Sequence, residues 1–263
     1  SILFFILILL GISNYFNDNP INEYFEFVEG DKKSKNKIIV FNLSGPIIND
    51  KIQINNIANF KIISPKHVKE KLKIIEEINP KILVISMDSP GGTVSASNEI
   101  HKTLVNFKNK NNLIIYFHTK EILASGAYWA SMSGEKIYAS YGSLIGSIGV
   151  KGPDWFFYDQ PTSISSGFFG PSIETKNGIK VFSQNVGKSK DLLNPFREPS
   201  KNELEHLKSI ISEIYKDFIN LVSKNRSLEN NFIKNNIGGL IYNSKQAKDN
   251  FLIDDVLSLD ELL

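Results

Sequence analysis

The chain of 263 residues contains no cysteine. Disulfides, thiolate zinc sites and a cysteine nucleophile are therefore excluded. The compartment stays open, because a disulfide-free protein folds on either side of a membrane. The chain also lacks charge of one dominant sign. Thirty basic residues against 28 acidic ones leave a net charge of +2, without the basic stripe of a nucleic-acid binder. No nucleic-acid partner is expected. Histidines number only four, and no cluster with metal-ligand spacing occurs, so no metal is expected. Long apolar runs are scarce too. A bilayer-spanning helix needs about 20 apolar residues, and the longest unbroken run here is residues 2–10. What is present is ordinary for a globular protein: 41% apolar and 22% charged residues, against averages of about 45–50% and 25%. A disordered tail, a collagen-like rod and a polytopic membrane protein are excluded. The length suits one or two domains of about 100–200 residues each.

The sequence starts at Ser1, not Met. Residues 2–10 are followed by Gly11 and Ile12, and a run this short fits a signal-peptide core or a truncated span. A buried first strand or helix is the alternative. Nine consecutive apolar residues at a terminus are hard to cover inside a domain, so residues 1–12 are read as a truncated anchor or signal segment. Residues 13–36 are polar and charged, with Asp31, Lys32, Lys33, Ser34 and Lys35 clustered, and read as a linker. The flank before residue 1 is absent, so charge bias gives no orientation directly. Residues 37–263 form the globular domain.

Within it, residues 37–43 are β-branched and stop at Gly45-Pro46, a strand. Residues 64–78 carry Val68, Leu72, Ile75 and Ile78 on one helical face behind Ser64-Pro65. Residues 81–87 are a nearly continuous apolar run, the mark of a strand buried on both faces. Helical spacing returns over 94–107. A buried strand is predicted at 113–117, a small-residue helix at 125–132 and a short strand at 136–139. Alternating strands and helices at this spacing predict a parallel sheet with helices packed on it. The longest helix is predicted over 200–225, opened by a Ser200/Glu203 capping box. Its apolar face is Leu204, Leu207, Ile211, Ile214, Phe218, Leu221 and Val222.

Three segments carry possible chemistry. Asp88-Ser89-Pro90-Gly91-Gly92 lies between a predicted strand and a predicted helix. Two glycines there let the backbone approach a ligand and leave N–H groups at a helix start, suited to a phosphate or a developing oxyanion. No Walker pattern accompanies them, and an ordinary turn is the alternative. Ala124-Ser125-Gly126-Ala127-Tyr128 follows the next strand. Ser125 reads as a simple N-cap or as a nucleophile. Adjacent parallel strands place both loops at one sheet edge, where α/β proteins bind ligands, which joins a serine to glycine N–H donors. His67 and His101 fall on helix faces expected to be exposed, and His206 on a polar face. His118, at a strand end, is the one histidine positioned to serve as a base, or it is a satisfied structural histidine. A lysine of lowered pKa serves equally. The third segment, residues 142–150 (GSLIGSIGV), is glycine-rich and uncharged. It reads as a tightly packed sheet edge or as a strand lining a groove for an extended peptide.

Together these segments resemble the signal peptide peptidase A (protease IV) family of the Clp protease/crotonase superfamily. The resemblance rests on SMDSPGGTVSASNEI (86–100), ASGAYWAS (124–131), EKIYAS (135–140), GSLIGSIGV (142–150), GKSKDLLNPFR (187–197) and GGLIYNSKQAKDNFLIDDV (238–256). It implies an α/β Clp protease/crotonase-like fold, with a parallel-rich sheet (a ββα superhelix) and surrounding helices. It implies a serine endopeptidase with Ser125 as nucleophile and Lys190 as general base. Ser147 would orient that lysine, and Gly92 and Gly126 would supply oxyanion-hole N–H groups. Gly146, Ile148 and Gly149 would line the substrate groove. It further implies apolar extended peptides such as signal peptides as substrates, no cofactor and no ATP. A membrane anchor with the catalytic domain on the non-cytoplasmic side is implied as well. So is a homo-oligomeric ring whose dyads draw Ser and Lys from neighbouring subunits. The chain departs from the pattern at Ala127, where the family has a second glycine, and in the long 151–186 loop. An inactive membrane-bound scaffold and a crotonase-like acyl-CoA enzyme are the alternatives. Retention of Ser125 and Lys190 argues against the first. The absence of acids beside the oxyanion loops argues against the second.

Overall fold

The computed structural model describes residues 25–49, 61–158, 165–167, 170–172 and 184–263. The apolar run 2–10 and half of the 13–36 linker lie outside the described residues. The chain divides into two compact units, residues 1–146 with 241–263, and residues 147–240.

The first unit is built on five parallel strands: β1 (Ile38–Ser44), β2 (Ile82–Asp88), β3 (Ile114–Thr119), β5 (Lys136–Ala139) and β10 (Asp255–Val256), in that spatial order. β2 lies inside the sheet between β1 and β3, and Leu83 to Met87 are buried without interruption. That is why its sequence is a continuous apolar run. Between them lie α1 (Pro65–Ile78), α2 (Val94–Asn111), β4 (Ile122–Ala124) and α3 (Gly126–Ser131). α1 starts where the Ser64 hydroxyl accepts the His67 N–H, and ends at Asn79 in the left-handed region. It buries Val68, Leu72 and Ile75, each contributing about 1.5–3 kcal/mol. α2 runs past the expected end at 107, to Asn111. Nothing breaks it before Asn112 turns left-handed, and Lys108 and Lys110 favour its C-terminal dipole. A second sheet joins β4, β6 (Leu144–Gly146) and β9 (Ile241–Asn243), with β4 parallel and β9 antiparallel to β6.

The second unit holds the hairpin of β7 (Ser165–Gly167) with β8 (Gly170–Ser172), then α4 (Lys201–Arg226). The predicted capping box is present: Glu203 N donates to the Ser200 hydroxyl, and the Glu203 carboxylate accepts the Ser200 N–H. A short helix, α5 (Asn230–Phe232), runs into a π-helical turn over Ile233–Ile237. The first unit closes with α6 (Ser244–Asp249) and α7 (Leu259–Leu262). The apolar face expected along α4 is buried only over its second half, at Phe218, Ile219 and Val222. Leu204 and Ile210 are 47% and 43% exposed. Among the described residues, no helix is long and apolar enough to cross a membrane.

Candidate active site

β2 ends at Asp88, and its chain passes from the first sheet to the second, pairing at Ser89 with Leu123 of β4. Ser89 N donates to the Ile122 carbonyl (2.7 Å), and Ala124 N donates to the Ser89 carbonyl (3.1 Å). The two loops that the sequence pairs at one edge are thus stitched together by backbone. Asp88 reinforces the seam. Its Oδ1 accepts from Thr119 Oγ1, Lys120 N and Glu121 N, each at 2.8 Å, and so holds the turn that leads into β4.

Beyond Ser89 the loop crosses Ile47. Ile47 N donates to the Gly91 carbonyl (2.8 Å), and Thr93 N donates to the Ile47 carbonyl (2.9 Å). This isolated parallel bridge takes the groups on either side of Gly92, so the N–H of Gly92 itself points away from Ile47. Among the described residues no hydrogen bond uses that N–H, and Gly92 is exposed. A side chain at Gly92 would strike the Ile47 carbonyl oxygen at 1.9 Å. Glycine is required here by closeness, not by an unusual φ.

Ser125 stands at the end of β4 with φ 53° and ψ −122°, outside the helical region. Its N–H donates to the Gly146 carbonyl of β6 (2.9 Å). Its side chain makes no capping hydrogen bond, so the N-cap alternative is not realised and the hydroxyl is left for other use. An L-residue at positive φ stores about 1–3 kcal/mol of strain. Gly126 opens α3, where the first N–H groups of a helix have no intrahelical partner. A Cβ on Gly126 would lie 2.2 Å from the Ser97 hydroxyl and 3.2 Å from Gly92 N. The two glycine N–H groups therefore flank the turn that carries Ser125. Ala127, where the resemblance expects glycine, is fully buried and fits without strain.

The histidines are elsewhere employed. His118 lies in β3 in register with Ser86 and Tyr138, fully buried. Its Nε2 donates to the Leu257 carbonyl (3.1 Å), because a carbonyl only accepts. Burial pushes its pKa down. Its buried Nδ1 has no hydrogen-bond partner among the described residues. The expectation of exposed His67 and His101 is corrected. His67 is half-buried on α1. His101 is half-buried on α2, and burial lowers its pKa against a hydrogen bond to the Met132 backbone.

The remaining predicted residues fall in or next to the second unit. The sequence suggests a longer strand over 142–150, but pairing ends at Gly146 because Ser147 turns to φ 52°. Ser147 N donates to the Leu240 carbonyl (2.7 Å), and Gly149 N donates to the Ser147 carbonyl (2.9 Å). Ile148 is fully buried. Lys190 lies in a turn, exposed, with its N–H on the Gly187 carbonyl (3.3 Å). Among the described residues, no three His, Asp or Glu side chains gather as a metal site.

Comparison with known proteins identifies the family and the fold. Residues 107–263 match the profile of peptidase family S49. The chain is 29% identical over 248 residues to the "Putative signal peptide peptidase SppA" of Enterococcus faecium, covering 94% of this chain and 67% of that one. It is 32% identical over 183 residues to a "Putative protease" of Methanocaldococcus jannaschii, covering 70% of this chain and 54% of that one. Thus the chain spans about half to two thirds of these relatives' lengths. A ClpP1 mutant from Listeria monocytogenes superposes with a TM-score of 0.52 at 13% identity, over 85% of this chain and 94% of that one. The fold is that of the Clp protease superfamily.

Proposed function

The chain belongs to peptidase family S49, a serine-peptidase family, and from that premise we propose an ATP-independent endopeptidase working through a Ser125–Lys190 dyad. The observation that carries this reading is Ser125 itself. It is held at positive φ, and among the described residues no hydrogen bond engages its hydroxyl or the N–H groups of Gly92 and Gly126 beside it. In this reading neutral Lys190 takes the Ser125 proton as Oγ attacks the peptide carbonyl. The N–H groups of Gly92 and Gly126 stabilise the oxyanion. Lysine then protonates the leaving amine, and water, activated by the same lysine, hydrolyses the acyl-enzyme. Ser147 orients the lysine. The 146–149 segment receives an extended, apolar peptide such as a signal peptide by backbone pairing.

A lysine acts as a base only where burial or neighbouring charge lowers its pKa, and Lys190 is exposed in the single chain. The half-uncovered α4 also leaves apolar surface at Leu204 and Ile210. Both features support a homo-oligomer, with Ser125 and Lys190 of each dyad coming from different subunits. The apolar run 2–10 supports attachment to a membrane, and the resemblance to signal peptide peptidase A supports a catalytic domain on the non-cytoplasmic side.

The test is complementation. Ser125→Ala and Lys190→Ala should each abolish hydrolysis of an apolar fluorogenic peptide, and Ser125→Ala should also abolish labelling by a serine-directed phosphonate. Mixing the two inactive variants, with subunit exchange, should restore turnover. Turnover by either variant alone overturns the dyad. Silence of the exchanged mixture overturns its sharing between subunits.

A further inference from the structure

Lys190 lies between two residues that are both tied to one node. Asp191, on one side, gives both carboxylate oxygens to Arg197: Oδ2 accepts from Nε (2.7 Å) and Oδ1 from Nη2 (2.8 Å). Arg197 chiefly, with a smaller contribution from Ser189 on the other side, holds the Glu203 carboxyl well below the usual carboxylate range. Glu203 is itself gripped by Arg197, with Oε2 accepting from Nη1 (3.0 Å) and Oε1 from Nη2 (2.8 Å). One guanidinium thus makes two forked contacts with two carboxylates, a geometry only arginine provides.

The node is packed as well as bonded. The Arg197 guanidinium lies 5.1 Å from the centre of the Trp155 ring, and Trp155 Nε1 donates to the Asn194 carbonyl (3.0 Å). Tyr158 N donates to the Pro195 carbonyl (2.9 Å). Glu203 is the N3 residue of the α4 capping box, and its side chain is only 7% exposed. The turn is therefore anchored to the start of a 26-residue helix. It also needs anchoring, because Ser189 and Leu193 both take positive φ, at 58° and 67°.

We infer that Arg197 is a positioning residue for Lys190: it fixes the turn that presents the lysine and occupies the carboxylate of Asp191 that would otherwise pair with it. This rests on the Ser125–Lys190 reading. A general base must be available without its proton, and a free carboxylate one residue away opposes that by favouring the ammonium. With both oxygens of Asp191 on Arg197, the neighbouring ammonium is left unmatched. Among the described residues, no ion pair or side-chain hydrogen bond engages Lys190. The charged groups of its own turn are Lys188 and Asp191, and the node that holds the turn adds Arg197 and Glu203. Lys151 and Asp154, near Trp155, pair with each other at 2.9 Å.

The experiment is a pH–rate profile of kcat/KM on an apolar fluorogenic peptide, using the full chain. In Arg197→Gln the acidic limb should move to higher pH by about one unit, with kcat falling about tenfold and KM little changed. Adding Asp191→Asn to Arg197→Gln should return the limb to its wild-type position. Asp191→Asn alone keeps the capping box, and should leave the limb in place or move it to lower pH. An unmoved limb in Arg197→Gln, or a limb still displaced in the double variant, overturns the shielding role. If Arg197→Gln does not fold, an upward-shifted limb in Asp191→Asn alone overturns it equally. Lys190→Ala separates the two levels of the argument. Its continued turnover removes the dyad and this role together, whereas an inactive Lys190→Ala with an unmoved Arg197→Gln limb removes this role alone.

Discussion

A Cβ placed on Gly91 would stand 2.8 Å from the Cβ of Ser125 and 2.6 Å from the N of Gly126. The loop after β2 thus touches the turn after β4 at the very residue with the unused hydroxyl. Gly91 also sits at φ +96°, so Gly91→Ala meets both a clash and a conformational penalty of about 1–2 kcal/mol. It should lower the thermal midpoint and slow phosphonate labelling of Ser125. Labelling at the wild-type rate would show that the contact does not shape the site.

Ser125 bears its own strain at φ 53°. Glycine relieves such strain, worth about 1–3 kcal/mol, and returns about 0.5–1 kcal/mol of it as chain entropy. Ser125→Gly should be inactive yet more stable than wild type by about 1 kcal/mol, whereas Ser125→Ala should gain nothing comparable. Urea denaturation of the two variants decides this.

Asp88 should separate turn geometry from charge. All three of its side-chain bonds fall on Oδ1, and an asparagine oxygen can accept them. Asp88→Asn should retain most activity. Asp88→Ala leaves the backbone N–H groups of Lys120 and Glu121 without that acceptor, and should lower kcat about tenfold or more, as for loss of about 1–3 kcal/mol of hydrogen bonding. Equal activity of the two variants would mean that the turn does not need this acceptor.

Acid should loosen the fold through its buried histidines. Burial holds folded His118 below its ordinary value. As pH falls through about 6.5, the unfolded chain therefore takes up the proton first, and stability drops. The decline should continue until the folded pKa is reached. His118→Asn should flatten the fall in thermal midpoint between pH 7 and pH 5. It should not remove it, because His101 is shifted the same way. An unchanged slope would assign the acid sensitivity elsewhere.

The sheet was readable because its strands are apolar on both faces. Residues 81–87 and 136–139 each predict a strand within one residue of its position. Helix starts were readable at Ser64 and Ser200, where a hydroxyl caps the first turn, but not at Ser258, whose capping box opens α7. The DSPGG and ASGA segments pointed to the candidate site because their residue types are unusual at strand ends. Less was legible where a long-range contact decides. Nothing local shows that Ser147 breaks the 142–150 run by turning to positive φ. Arg197 was visible only as part of a motif, since its partners Asp191 and Glu203 are set by a turn and a helix cap. The first half of α4 carries an apolar pattern that the chain itself leaves uncovered at Leu204 and Ile210. Periodicity reports which face is apolar, not what covers it.

The bridge between Ile47 and Gly92 has one more consequence. It fixes the direction of an N–H group with carbonyl and amide bonds alone. Such a donor has no titration of its own and no side chain to lose. Over any working pH its hydrogen-bonding strength is constant. Substitutions around the loop alter it only by moving the backbone, which the Ile47 hydrogen bonds to Gly91 and Thr93 resist. The direction of this N–H is therefore a permanent feature of the fold, and whatever alters the edge must act through side chains.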